Sequence, residues 1–343
     1  MENSYVLVTA DVDAVLGRLR GESASPRQDF VELARALDAE MLSFSDTARG
    51  SLLTRFLART LGPAISLAWL AFWKGGDFYF VSAENAAIPL ALLLKFRPHA
   101  RMAFIAHRLT APKKRWLLRW PRLFSQTCRI FCYSRQQESF AVKTLKLPAD
   151  KVLRIAFQVD EAFFTPSTHP QPGNGVVSVG RELRDYPTLF QALDNIGISV
   201  TVVASSPWSL RKDSTAAQVI PSNVTLRKGV SSAALRELYQ QAAVVVVPLM
   251  NVDWPAGVTS LLEAQACGRP VVISASGGIL DSLDFGAAVT VPCGDAVALR
   301  EAVQRLLRNP EEAATCGCAG RESVLRQRTL DQFVARIAEG CKP

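Results

Sequence analysis

No stretch of this 343-residue chain reaches the roughly 20 consecutive apolar residues that a membrane-spanning helix requires. The longest candidate, Leu61 to Trp73, falls well short and follows Arg55 and Arg59. The first residues, Met1-Glu2-Asn3-Ser4, lack a basic n-region and run directly into the apolar Tyr5-Val6-Leu7-Val8, so no secretory leader is expected. The seven cysteines (Cys128, Cys132, Cys267, Cys293, Cys316, Cys318, Cys341) are odd in number and scattered, which argues against a disulfide framework and for a reducing cytoplasm. Cys128 and Cys132 could begin a metal site, but no matching His or Cys pair follows, so they read as buried thiols. No internal sequence repeat and no nucleic-acid-binding motif is found, and nucleic acid is not expected as a partner.

Acidic residues are missing from one region. Positions 95 to 135 hold eleven Lys and Arg and no Asp or Glu. Residues 1–170 carry 23 basic against 15 acidic side chains, a net +8, while residues 171–343 carry 16 of each. The positive charge therefore belongs to the first half, where it should meet something anionic. Within it, Lys113-Lys114-Arg115-Trp116 and Arg119-Trp120 mix cations with aromatic and leucine residues. A segment of this kind can rest on an anionic bilayer, and it marks a possible peripheral site at the inner membrane face. The competing reading is an amphipathic helix that turns its Trp and Leu to the core.

The remaining composition, 49% hydrophobic and 20% charged, is globular, and the length suits two α/β domains. Buried-type strands alternate with helical periodicity: Tyr5 to Ala10, a helix over 27–40, Met41 to Phe44, one apolar helix from Leu52 to Trp73, then Asp77 to Ser82 and Met102 to Ala106. This is the rhythm of a parallel sheet. The tract Phe163 to Asn174, with three prolines and a glycine, reads as a linker, after which the same rhythm restarts at Gly175. His107 and Glu84 fall just beyond strand ends, where ligands sit in open α/β sheets. Asp11-Val12-Asp13 imitates a metal-binding Asp-X-Asp, but it follows the first strand directly and is discounted.

Four ordered segments carry a resemblance: Val179 to Leu189, Leu226 to Val230, Leu238 to Pro248, and Gly257 to Val272. Together they resemble the nucleotide-sugar-binding domain of GT-B glycosyltransferases, specifically the retaining family 4 group. A looser match over Ile155 to Pro166 looks like that family's exit from its acceptor domain. The resemblance implies two Rossmann-like doubly wound domains facing a central cleft. Their expected bounds are 1–165 for acceptor binding, 166–174 for the linker and 175–330 for the nucleotide sugar, with a C-terminal helix at 331–343 that packs back on the first domain. It also implies transfer of a sugar from a nucleotide-diphosphate sugar to a hydroxyl, with retention and without a required metal. A lipid-linked saccharide or polysaccharide precursor is the expected acceptor.

The residues suit that chemistry. A diphosphate is stabilised by free backbone N–H groups at a helix start and by guanidinium groups, which Gly257, Val258, Thr259, Arg181 and Arg184 supply. Gly229 and Val230 lie in the second matching segment and are expected at the nucleotide. Glu263, one turn beyond Thr259, takes the position of the family's ribose-binding acid, and a carboxylate offers two acceptor oxygens for two hydroxyls. His107 resembles the histidine that approaches donor sugar and acceptor. The chain departs from the pattern twice. Pro255 stands where a second glutamate contacts the sugar, with Asp253 nearby, and the usual lysine after Arg181 is missing, which leaves Arg184 to supply the charge. Two alternatives stay open: a GT-B nucleotide-sugar 2-epimerase, and a binding or scaffold protein without turnover.

Overall fold

The computed structural model describes residues 3–22, 24–111, 122–169, 173–204 and 219–342. The chain divides into two compact units, one of Met1–Gly21, Arg27–Ile155 and Asp331–Pro343, the other of Glu22–Pro26 and Ala156–Leu330. The segment from Ala156 to Thr165, expected with the first domain, is thus grouped with the second. The reason is packing: Val159, Phe163 and Phe164 are buried in that unit's core, and Val159 bridges Thr329 beside them.

The first unit is built on six parallel strands, β1 (Ser4–Val8), β2 (Glu40–Ser43), β3 (Phe78–Val81), β4 (Arg101–Ala106), β5 (Thr127–Cys132) and β6 (Val152–Arg154). They lie in the order β2-β1-β3-β4-β5-β6. The strand order reverses between β1 and β3, the topological position at whose carboxyl ends open α/β sheets bind ligands. Met102 to Ala106 and Phe78 to Val81 are buried on both faces, as expected of parallel strands covered by helices on either side. Two features were not foreseen. Asp11-Val12-Asp13 opens a helix: Asp11 caps Val12–Arg20 by accepting from the Ala14 amide. The single apolar helix expected over Leu52 to Trp73 is two, Leu52–Thr60 and Pro63–Lys74. Gly62 takes a positive φ of 94° between them, and Pro63, with no N–H to donate, begins the second helix.

The second unit contains β7 (Val176–Val179), β8 (Val200–Val203), β9 (Val224–Arg227), β10 (Val244–Val247), β11 (Val271–Ser274) and β12 (Val289–Val291), all parallel. Read from one edge, the order is β9-β8-β7-β10-β11-β12. This is the Rossmann order, whose reversal between β7 and β10 opens a crevice at their carboxyl ends. The four valines of β10 are completely buried, which marks the central strand. The C-terminal helix Leu330–Cys341 packs in the first unit: Arg129 Nε donates to the Gly340 carbonyl at 2.9 Å, and Gly340 lies against the Phe131 ring. A side chain at 340 would collide with that ring, at 2.9 Å from an added Cβ.

Candidate functional site

The second unit's residues gather at the β7/β10 reversal. β10 ends at Val247, and after a loop the helix Val258–Ala266 begins at Gly257. Gly257 has φ 81°, and a Cβ there would lie 2.8 Å from Leu249 and 3.0 Å from Val247, so conformation and space both demand glycine. No side chain caps this helix. Its first amides are presented by a glycine rather than a Ser or Asp oxygen, which leaves their positive end for an incoming anion. Thr259 is exposed there, while Val258 is buried and fixes the first turn to the sheet.

The preceding loop is tied down on its far side. Val252 N donates to Ser276 Oγ at 2.9 Å, the same hydroxyl donates to the Val252 carbonyl at 3.0 Å, and Gly278 N donates to that carbonyl at 2.8 Å. An added Cβ at Gly278 would meet the Trp254 carbonyl at 2.0 Å. Pro255 therefore sits in a loop held by backbone contacts, and Asp253 is exposed within it.

Across the reversal, β7 runs into Gly180, and here the two arginines separate. Arg184 is buried and folds back on the chain. Its Nε donates to the Val179 carbonyl at 2.9 Å, Nη1 to the Glu182 carbonyl at 3.0 Å and Nη2 to Ser260 Oγ at 2.9 Å. Ser260 Oγ in turn donates to the Val179 carbonyl at 3.1 Å. Arg184 thus clamps the end of β7 to the first turn of the helix at Gly257, and its approach explains Gly180, where a Cβ would fall 2.3 Å from Nη2. Burial lowers its pKa, with neighbouring groups including Glu263 opposing the shift. Arg181 is different. Its Nε is buried and has no hydrogen-bond partner among the described residues, an unpaired donor just past the carboxyl end of β7.

Glu263 lies further along the helix from Thr259, half-buried, and accepts a hydrogen bond from the Tyr239 hydroxyl at 2.9 Å. Burial drives its carboxyl up to about 7, against the opposing pull of Tyr239 and then Arg184. Burial also raises the Tyr239 phenol well above 10. One carboxylate oxygen, Oε2, is thereby engaged. Gly229, with φ 63°, turns the chain after β9, and Val230 packs on the same core cluster as the helix at Gly257. Both lie on the carboxyl edge of the same sheet.

In the first unit, His107 is exposed just past β4. Its Nε2 hydrogen-bonds the Ser82 carbonyl at 3.0 Å, which places the ring proton on Nε2, and its ring packs 5.3 Å from Tyr133. Glu84 is buried and accepts from the backbone amides of His107 at 2.9 Å and Arg108 at 3.1 Å. It is a brace that sets the β4 exit, not an acid offered to a ligand. Asp11, already the helix cap, also accepts from Ser45 Oγ at 2.6 Å, and that bond lowers its pKa. Asp13 pairs with Arg49. Lys113, Lys114, Arg115, Trp116, Arg119 and Trp120 lie outside the described residues. Sequence reasoning missed Ser260 and Tyr239. A serine inside the apolar run Val258 to Ala266 was a signal that could have been used, whereas nothing local marks Tyr239.

Residues 179–309 match the family model described as Glycosyl transferases group 1, a span that takes in Gly180, Arg181, Arg184, Gly229, Val230, Tyr239 and the helix from Gly257. The match supports a group 1 glycosyltransferase domain there. The chain is 34% identical over 125 residues to a GDP-mannose-dependent alpha-(1-6)-phosphatidylinositol monomannoside mannosyltransferase of Mycolicibacterium smegmatis, covering 35% of this chain and 33% of that protein. It is 30% identical over 164 residues to the protein of the same name from Mycobacterium tuberculosis, covering 44% and 42%. The chain thus spans less than half the length of these relatives. Among solved structures, it superposes on the sucrose-phosphate synthase of Thermosynechococcus elongatus with TM-score 0.71 at 16% identity, covering 98% of each chain. Anabaena HepE in complex with UDP-glucose gives TM-score 0.71 at 14% identity, again with 98% of each chain covered. This likeness shows the fold: two Rossmann-like α/β units of the GT-B type.

Proposed function

We propose that the protein is a retaining glycosyltransferase that moves a sugar from a nucleotide-diphosphate sugar to a hydroxyl acceptor. The observation that carries this reading is the pairing of a helix start without a side-chain cap at Gly257 with the unpaired Nε of Arg181, at the carboxyl ends of the two strands where the sheet order reverses. Two independent donors left open at that place suit a diphosphate.

In this reading the amides of Val258 and Thr259 and the Arg181 guanidinium hold the diphosphate, and Glu263 holds the ribose. Gly229 and Val230 line the nucleotide's side of the same edge. Arg184 contributes its charge through position, by clamping β7 to the helix. The bond from the sugar's anomeric carbon to the diphosphate oxygen breaks while the acceptor oxygen bonds to that carbon. The acceptor's proton passes to the departing diphosphate on the same face, so configuration is retained. Charge builds on the diphosphate, and the fixed amides and Arg181 stabilise it there without reorganising. His107, exposed on the first unit's carboxyl edge, is assigned to the acceptor.

The mycobacterial relatives use GDP-mannose by name and HepE was solved with UDP-glucose, which makes these the first two donors to try. The same relatives favour a lipid-linked acceptor at a membrane. A thermal-shift screen of UDP-, GDP- and ADP-sugars tests the donor site before any acceptor is known. Stabilisation by one nucleotide series, lost in Arg181→Ala, is the expected outcome. Stabilisation by none of them refutes the reading. Binding without turnover on any acceptor favours the binding-protein alternative, to which Pro255, standing where a carboxylate would contact the sugar, also points.

A further inference from the structure

The helix Leu52–Thr60 leaves most of its large apolar side chains exposed. A surface helix ordinarily turns its large apolar side chains to the core and its polar ones to water. Here the buried residue is Thr54, whose carbonyl accepts from the buried Ser66 hydroxyl of the next helix at 2.7 Å. Ala58, one turn on, shares that inner side. Leu57 is half-buried beside them, but the other large residues point out: Leu52 is 79% exposed, Phe56 61% and Leu53 49%, followed by Leu61 at 58% just past the helix end. Ile65, and two turns further along the same stripe Trp73, are exposed on the adjoining helix Pro63–Lys74.

Charge singles out what covers this face. No acidic residue occurs between Asp46 and Asp77. Of the four cations in that interval, Arg49 is paired with Asp13 and Lys74 with Glu40. Arg55 and Arg59, both exposed and flanking Phe56, have no carboxylate partner among the described residues. A second copy of this chain is a poor occupant, because an isologous contact would set these arginines against each other with no acid to separate them. A bilayer with anionic headgroups suits both parts, since leucine and phenylalanine enter the acyl boundary while the arginines meet phosphates.

We infer that Leu52, Leu53, Phe56 and Leu61, with Arg55 and Arg59, form an interfacial membrane contact that seats the first unit on an anionic lipid surface. This rests on the reading of a membrane-borne acceptor and supplies its docking element. The full chain is tested by co-sedimentation with vesicles of phosphatidylcholine alone and of phosphatidylcholine mixed with phosphatidylglycerol. Nucleotide-sugar binding is measured in parallel, so that failure here is distinguishable from failure of the donor site. The expected result is salt-sensitive binding to the mixed vesicles, weakened roughly tenfold or more in Leu52→Ser/Phe56→Ser and in Arg55→Ser/Arg59→Ser. Because all four side chains are exposed, melting temperature and donor affinity stay as in the parent. Absence of vesicle binding overturns the inference, as does equal binding by parent and variants. So does a concentration-dependent dimer that the leucine–phenylalanine variant abolishes, since that assigns the face to a second copy.

Discussion

Glu263 offers a pH-dependent test of the donor site. Its carboxyl is raised from 4.5 to about 7 by burial, so at neutral pH it is about half ionised. If the ionised form holds two ribose hydroxyls as acceptor, the apparent dissociation constant equals the intrinsic one divided by the ionised fraction. That fraction is about one-tenth at pH 6 and about nine-tenths at pH 8, so affinity should rise about tenfold, or roughly 1.4 kcal/mol, across the interval. Titration calorimetry should use the intact nucleotide sugar, because a free nucleoside diphosphate has a terminal phosphate that titrates near 6. Glu263→Gln keeps the shape and still accepts from Tyr239. It should bind with no such pH dependence, and weaker than the parent at pH 8 by about 1 to 2 kcal/mol for the lost charge-assisted hydrogen bonds. A flat parental profile, or the same slope in the glutamine variant, refutes the assignment of Glu263 to the ribose. The sign for folding runs oppositely. A carboxyl whose folded pKa lies above its unfolded value contributes stability that is intact below about pH 4.5 and lost as pH rises to about 7, so Glu263→Gln should melt higher than the ligand-free parent at pH 8.

The two arginines should part in their effects. Arg181→Ala loses about 1.5 to 3 kcal/mol of donor affinity, seen by calorimetry, with its melting temperature unchanged, since Nε has no partner among the described residues to forfeit. Arg184→Ala empties a buried clamp of three hydrogen bonds and lowers stability by about 3 kcal/mol or more in a denaturant titration. Should Arg184→Ala melt like the parent, its role as a brace is wrong. Gly257→Ala forces a side chain into φ 81° against Leu249 and Val247, and should cost about 1 to 3 kcal/mol in stability along with the donor-induced thermal shift. Tyr239→Phe removes the donor that holds the Glu263 pKa down, so the affinity profile moves to higher pH.

Much of the fold was legible because it depends on local pattern. Val244 to Val247 can only be a covered parallel strand, and Gly257 ahead of an apolar run announces a helix start at a strand's carboxyl end. The errors came where one residue outweighed periodicity. Gly62-Pro63 divides a helix that hydropathy joins, and Phe163-Phe164 beside prolines belong to a core and not to a linker.

The site was legible only in part, for a physical reason shown by Arg181 and Arg184. Both follow the same strand, both are guanidinium groups, and sequence alone, with the usual lysine missing, points to Arg184 for the phosphate charge. What separates them is a serine 76 residues away and a glycine at φ 119° that lets Arg184 fold under the strand end. Once Arg184 is spent on Val179, Glu182 and Ser260, the guanidinium with an unpaired Nε beside this strand end is that of Arg181. The missing lysine then need not be replaced by Arg184 at all: its buried guanidinium holds β7 and the helix in register, and the proposed diphosphate site rests on the uncapped start of that helix with Arg181.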